Sequence, residues 1–270
     1  MHKLIYARGE ADSNLKIFNG VRVLSITYVI LGHAYYYGVI APQASIVGPP
    51  LFMKTWFASV GNGAFFAVDA FFFLSAFMGG YILLTKMVPK RGRINYPLLV
   101  FHRYYRLIFP IICVTLFIST LFRYFGSGPV WAEMTHRQEA RCEKYWWTNL
   151  LMVMNLNPWV FVDECVGWTW YIGIDFQLFL ITPLLVFFYC KRRWLGYTSA
   201  ILLILASSAF NYAITVKKHL TFSPMMAIVN GDMEPAYGYM DDIYSKPWGR
   251  MQSYFVGFIF SMLYFEYKQT

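Results

Sequence analysis

The stretch Ala67-Val68-Asp69-Ala70-Phe71-Phe72-Phe73-Leu74-Ser75 decides the fold. It lies inside a longer apolar run over 62–84, with a single carboxylate at its middle. Such a run is long enough to cross a hydrocarbon core, which needs about 20 apolar residues as helix. A charge at mid-bilayer costs about 2.5–3.5 kcal/mol on insertion scales, so Asp69 calls for a partner or a wet cavity. Working outward, five further runs fit the same length: 22–41, 107–125, 168–189, 195–215 and 249–267.

The composition agrees. Of 270 residues, 58% are hydrophobic, 20% aromatic and only 14% charged, against about 25% charged in soluble domains. Mean hydropathy is +0.43. This excludes a disordered chain and argues against an ordinary soluble enzyme. Four cysteines are too few for a disulfide-dense module. Strand alternation of the outer-membrane kind does not recur. The expected fold is all-α: a polytopic transmembrane helix bundle of about six spans, forming one integral-membrane domain over 1–270. Glu10, Asp12 and Asn14 precede the first run, which argues against a cleaved signal.

Net charge is +9. The cations fall in short clusters beside apolar runs, which points to anionic headgroups rather than nucleic acid. If six spans alternate, Lys86, Lys90, Arg91, Arg93 and Lys191-Arg192-Arg193 all fall on one side with both termini. Cations far outnumber acids there, whereas the other side is balanced. The positive-inside rule then places both termini in the cytosol or its equivalent. Cys142 and Cys165 share a loop on the opposite side, where an oxidising lumen would permit a disulfide; two unpaired thiols are the alternative. Cys113 falls in a span and Cys190 on the cytosolic side, so neither is expected to pair. In loop 126–167, residues Tyr145 to Leu156 read as a short aromatic segment ended by Asn157-Pro158. In loop 216–248, Pro235 and Pro247 oppose a long helix.

The polar residues within or beside spans are the functional candidates. Arg22 and His33 are eleven residues apart, close to three turns and ~16 Å along one helical face. A neutral imidazole at that depth can accept a proton from a hydroxyl, and a mouth arginine can grip phosphate. The alternative is a hydrogen-bonded structural histidine beside a boundary charge. Asp69 suits either orientation of that histidine or an ion pair between helices. Arg103 and Arg106 share one face and, with Arg22, form an electropositive funnel or merely anchor the cytosolic side. Asp175 and Gln177 either contact an acceptor or bond between helices. No phosphate-binding glycine loop and no metal-ligand spacing occurs, so no metal is expected. The aromatics are spread over many spans, as in core packing and lipid contact.

Four stretches of the chain carry a family resemblance. Phe18-Asn19-Gly20-Val21-Arg22-Val23-Leu24-Ser25, running on to Gly32-His33, resembles the opening helix of the membrane acyltransferase-3 superfamily. Cys142 with Tyr145-Trp146-Trp147-Thr148-Asn149-Leu150-Leu151 resembles its eukaryotic, nose-resistant-to-fluoxetine-like branch. Gly167-Trp168-Thr169-Trp170-Tyr171 and Tyr244-Ser245-Lys246-Pro247-Trp248-Gly249-Arg250 fit that branch too. The likeness covers about residues 17 to 266. It implies transfer of an acyl group from acyl-coenzyme A to a hydroxyl acceptor. It assigns His33 as base or acyl relay and Arg22, Arg103 and Arg106 as contacts for coenzyme phosphates. Asp69 and Asp175 match its acidic positions, and Cys142 and Cys165 its paired cysteines.

The family implies about ten spans and, in this branch, a soluble N-terminal domain. The chain reads as a shortened member lacking that domain and the last helices, with Ala76 where glycine is common after Ser75. Two readings follow: a membrane O-acyltransferase, or a catalytically inactive relative serving as structural subunit of a larger membrane complex. A transporter or lipid-binding protein is a third. The expected partners are membrane lipids, acyl-coenzyme A and other membrane subunits. The expected site is the endoplasmic reticulum or plasma membrane, with the mitochondrial inner membrane as alternative.

Overall fold

The computed structural model describes residues 15, 17–40, 52, 55–128, 130–221, 224, 227 and 231–270. Eight helices are named here: α1 (Ile17–Ile40), α2 (Trp56–Met87), α3 (Tyr96–Leu116), α4 (Trp131–Leu150), α5 (Trp170–Lys191), α6 (Arg193–Lys218), α7 (Met233–Tyr239) and α8 (Pro247–Tyr267). No strand occurs among the described residues. Five segments are long and apolar enough to cross a membrane: Ile17–Tyr36, Trp56–Met87, Tyr96–Phe125, Gly167–Lys191 and Arg193–Lys218. The protein is an integral-membrane helix bundle.

The sixth expected run is helix α8. Its polar positions, including Arg250, Gln252, Ser253 and Glu266, set it apart from the other five. It nevertheless lies at the centre. α8 runs parallel to α2 at nearly constant register, with Arg250 and Ser253 at Asp69, Gly257 at Phe73 and Tyr264 at Phe77 and Tyr81. Apolar surface gives little drive for helices to associate in lipid, so close backbone approach and interhelical hydrogen bonds carry the contact. Gly257 provides the approach: a Cβ there would meet the Phe73 carbonyl oxygen. Tyr254, Phe255 and Phe258 are buried beside it, with Phe72 and Ile174.

α1 packs antiparallel on α2, with Phe18 against Phe77, the Tyr28 hydroxyl donating to the Val60 carbonyl (2.6 Å) and Tyr35 against Gly61. Leu24 and Ile30, with Val23 and Ile26, stay exposed on α1.

Two boundaries differ from the sequence reading. α3 starts at Tyr96, well before 107, capped by Asn95, whose side chain accepts from the Leu98 amide at 3.2 Å. It continues through a π turn and a 3-10 turn to Phe125. Arg103 and Arg106 therefore ride on the helix instead of ending a loop. The aromatic segment expected from Tyr145 is the last part of α4, which begins at Trp131 and ends at Leu150, ahead of Asn157-Pro158. Polar i,i+4 support, with the Arg137 guanidinium 2.6 Å from Glu133, sustains its first half where apolar periodicity is weak. Within 216–248, α6 runs on to Lys218, and the short α7 and a π turn follow among the described residues; Pro247 opens α8, where its missing amide costs nothing.

Both cation clusters meet at one end of the bundle: Gly92 lies against Phe187 and Cys190, next to Lys191. The opposite end carries a disulfide between Cys142 and Cys165, while Cys113 and Cys190 are free.

Candidate functional site

Parallel packing of α2 and α5 sets Phe72 against Trp170 and Tyr171. One turn further along, it brings Ser75 to Asp175. The Ser75 hydroxyl donates to Asp175 Oδ1 at 2.5 Å. Arg103 of α3 closes the group, donating through Nη2 to Asp175 Oδ2 at 2.5 Å and to Ser75 Oγ at 3.1 Å. Its guanidinium lies 4.1 Å from the centre of the Phe179 ring. Arg103 Nε is buried without a partner among the described residues. Three helices thus converge on one ion pair, which holds its charge in apolar surroundings only because each member is hydrogen-bonded.

A second ion pair ties α2 to α8. Arg250 Nη1 lies 3.0 Å from both Asp69 oxygens, and Ser253 Oγ donates to Asp69 Oδ1 at 3.0 Å. Arg250 Nε also donates to the Tyr244 carbonyl (3.1 Å), and the guanidinium stacks over the Tyr244 ring at 4.3 Å. The structure therefore gives Asp69 to Arg250 and Ser253, not to His33. The reason is position. α1 is antiparallel to α2, so the level of His33 falls near Gly61 and Ala64, more than a turn from Asp69.

His33 and Arg22 are both exposed, on one flank of α1. His33 Nδ1 lies 2.8 Å from the Val29 carbonyl oxygen. A carbonyl only accepts, so Nδ1 carries the proton, and in the neutral ring Nε2 is the basic nitrogen. Arg22 lies within electrostatic reach of Tyr171, which flanks Asp175. Of the expected arginine trio, Arg103 is drawn inward to Asp175, whereas Arg106 is exposed. Spacing alone put Arg103 and Arg106 on one face; the carboxylate on α5 separates their environments.

The disulfide end holds polar groups that the sequence reading passed over. Lys246 is fully buried, donating through Nζ to the Asn155 carbonyl (2.5 Å) and the Trp159 carbonyl (2.9 Å). Burial lowers its pKa, opposed by Glu164, Asp241 and Asp242. Glu164 is buried, and neither carboxylate oxygen has a partner among the described residues. Burial pushes its carboxyl up to about 9, with Lys246 pulling the other way. Asp241 accepts from the Phe161 amide at 2.7 Å. Gln177 is taken up locally, donating to the Met152 carbonyl (2.8 Å) and Asn155 Oδ1 (2.7 Å).

Ser75, Arg250, Lys246 and Glu164 were not singled out from sequence. Arg250 and Lys246 lie in the quoted run 244–250, and Ser75 closes the run around Asp69. Their positions were legible, but their partners were not.

Residues 15–270 match a family described as "Acyltransferase domain". The chain is 32% identical over 273 residues to nose resistant to fluoxetine protein 6 of Caenorhabditis elegans, covering 93% of this chain and 32% of that protein. It is 22% identical over 265 residues to regulator of hypoxia-inducible factor 1 of the same organism, covering 93% of this chain and 51% of that protein. The chain thus spans about a third and about half of these relatives. No solved structure matches. With a match running through both interhelical ion pairs and the α1 flank that bears Arg22 and His33, the chain belongs to the membrane acyltransferase-3 family.

Proposed function

We propose that this protein transfers an acyl group from acyl-coenzyme A, approaching from the cytosolic side, to a hydroxyl acceptor. The observation that supports this reading most is the 2.8 Å contact of His33 Nδ1 with the Val29 carbonyl oxygen. With Nδ1 directed at that carbonyl, Nε2 is the proton acceptor. Nε2 takes the acceptor's hydroxyl proton as the oxygen bonds to the thioester carbonyl carbon. The C–S bond then breaks, and the departing thiolate recovers the proton as a free thiol. Arg22, on the same flank, is suited to a phosphate of the donor. Exposed Arg106 supplies charge at the same side. Asp69, Asp175 and Arg103 act as positioning residues, holding α2, α3, α5 and α8 in register, with α1 packed on α2.

A second reading, an inactive relative within a larger membrane assembly, draws on a different observation. The polar groups at 69, 103 and 175 are all engaged between helices, and the apolar window of α1 is 0% buried. That long uncovered face suits a neighbouring helix.

The test is acyl release from radiolabelled acyl-coenzyme A by the protein in lipid nanodiscs, offered a panel of hydroxylated lipids. The enzyme reading expects turnover that His33→Ala reduces by about 10²–10⁴-fold, with unchanged helical content. No turnover with any acceptor, together with co-purification of a stoichiometric membrane partner, favours the subunit.

A further inference from the structure

Two cationic runs that are far apart in sequence meet at one end of the bundle, where one of them lines a cavity, and the acyltransferase reading uses neither. The cavity, of about 230 Å³, lies where α2 and α5 end and α6 begins. Lys191, Arg192 and Arg193 line one side, and Val88 and Phe265 supply apolar wall. The turn after α2 brings the second run alongside. A Cβ on Gly92 would lie 3.0 Å from Phe187 and 3.4 Å from Cys190, so Lys90, Arg91 and Arg93 surround the same end. Lys191, Arg192, Arg193, Lys90, Arg91 and Arg93 form no ion pair among the described residues. Glu266, the acid nearest on α8, is engaged by the Tyr189 hydroxyl at 2.8 Å. Against the three cations Lys191, Arg192 and Arg193 of the lining, this one carboxylate leaves the cavity with a net positive charge.

Its surroundings select an amphiphile. It opens at the end of helices long enough to cross a membrane. Leu184 and Phe187 are exposed on the last turns of α5 leading to it, and Trp194 is exposed at the first turn of α6. An exposed tryptophan beside arginines, at the foot of an apolar helix, is the pattern of the headgroup layer. A phosphate seated among the arginines would leave an acyl chain lying along Leu184 and Phe187.

We infer that this cavity is a binding site for the phosphate-bearing headgroup of an anionic membrane lipid. Each cation near an anionic headgroup contributes about 1 kcal/mol, so removing two weakens binding by more than tenfold. The probe is fluorescent phosphatidylserine, titrated against the full chain in neutral detergent, with labelled phosphatidylcholine as reference. Tighter binding of phosphatidylserine is expected, lost more than tenfold in Arg192→Gln/Arg193→Gln and kept in Arg192→Lys/Arg193→Lys. Lys144→Gln/Lys217→Gln removes equal charge away from the cavity and leaves binding unchanged. Equal weakening by both glutamine pairs reduces the effect to net charge and overturns the site. Displacement of the lipid by inorganic phosphate or coenzyme A at equal concentration removes any role for the apolar wall and overturns the lipid as occupant.

Discussion

Arg103 Nη2 and Asp175 Oδ2 lie 2.5 Å apart in the interior of the bundle, with Ser75 bonded to both. Asp175→Asn removes the carboxylate and leaves a guanidinium enclosed without its counter-charge. A loss of about 3–5 kcal/mol is expected. Arg103→Met/Asp175→Leu, which removes both charges, should lose much less. Thermal unfolding in detergent measures the comparison, and equal losses from the two variants would show that the pair does not act as a unit.

Gly257 meets the Phe73 backbone, not a movable side chain. Gly257→Val must push α8 away from α2 and lengthen the Asp69–Arg250 contact. About 1–3 kcal/mol should be lost, with lower yield of folded protein. Val256→Ala, next in sequence but on an exposed face, is the control and should stay within about 0.5 kcal/mol of the parent.

Glu164 gives the protein a pH dependence of definite sign. Its carboxyl is raised from the ordinary 4.5 to about 9 by burial, so the folded state keeps a proton that the unfolded chain has already released. Its contribution is complete below about 4.5 and fades as pH climbs through about 9. Glu164→Gln keeps the shape without the titration. Its unfolding midpoint should exceed that of the parent at pH 8 and approach it at pH 5. Parallel pH curves for the two proteins would contradict the assignment.

The Cys142–Cys165 bridge closes a loop of 23 residues and ties α4 to the segment that leads into α5. Cys142→Ser/Cys165→Ser is expected to lose about 3 kcal/mol. Without reductant, the parent should show only Cys113 and Cys190 open to alkylation, counted by mass spectrometry of the denatured chain.

Helical spans were legible because bilayer thickness fixes a length and lipid excludes charge. The run over 168–189 gave α5 to within two residues at each end, and the run around Asp69 gave α2 except for its first turn and a half, from Trp56 to Gly61. α3 was expected to begin near 107 because Arg103 and Arg106 were read as charges at the edge of the span. A charge marks a loop only when no carboxylate awaits it within the bundle, and Asp175 lies on another helix. His33 and Arg22 were visible as a pair because helical geometry is local: eleven residues return to nearly the same face.

The sequence by itself determined the class of solvent, the helical character, the clustering of cations on one side and the family likeness. All of these follow from composition, period and local order. Only the tertiary structure decided which charge answers which. Asp69 went to Arg250, 181 residues away, and Asp175 to Arg103, 72 residues away. The physical reason is that a buried ion in lipid must be neutralised by whichever partner packing brings to its depth. That depth is set by helix register, through contacts such as Gly257 on Phe73, and no local pattern in the chain records it.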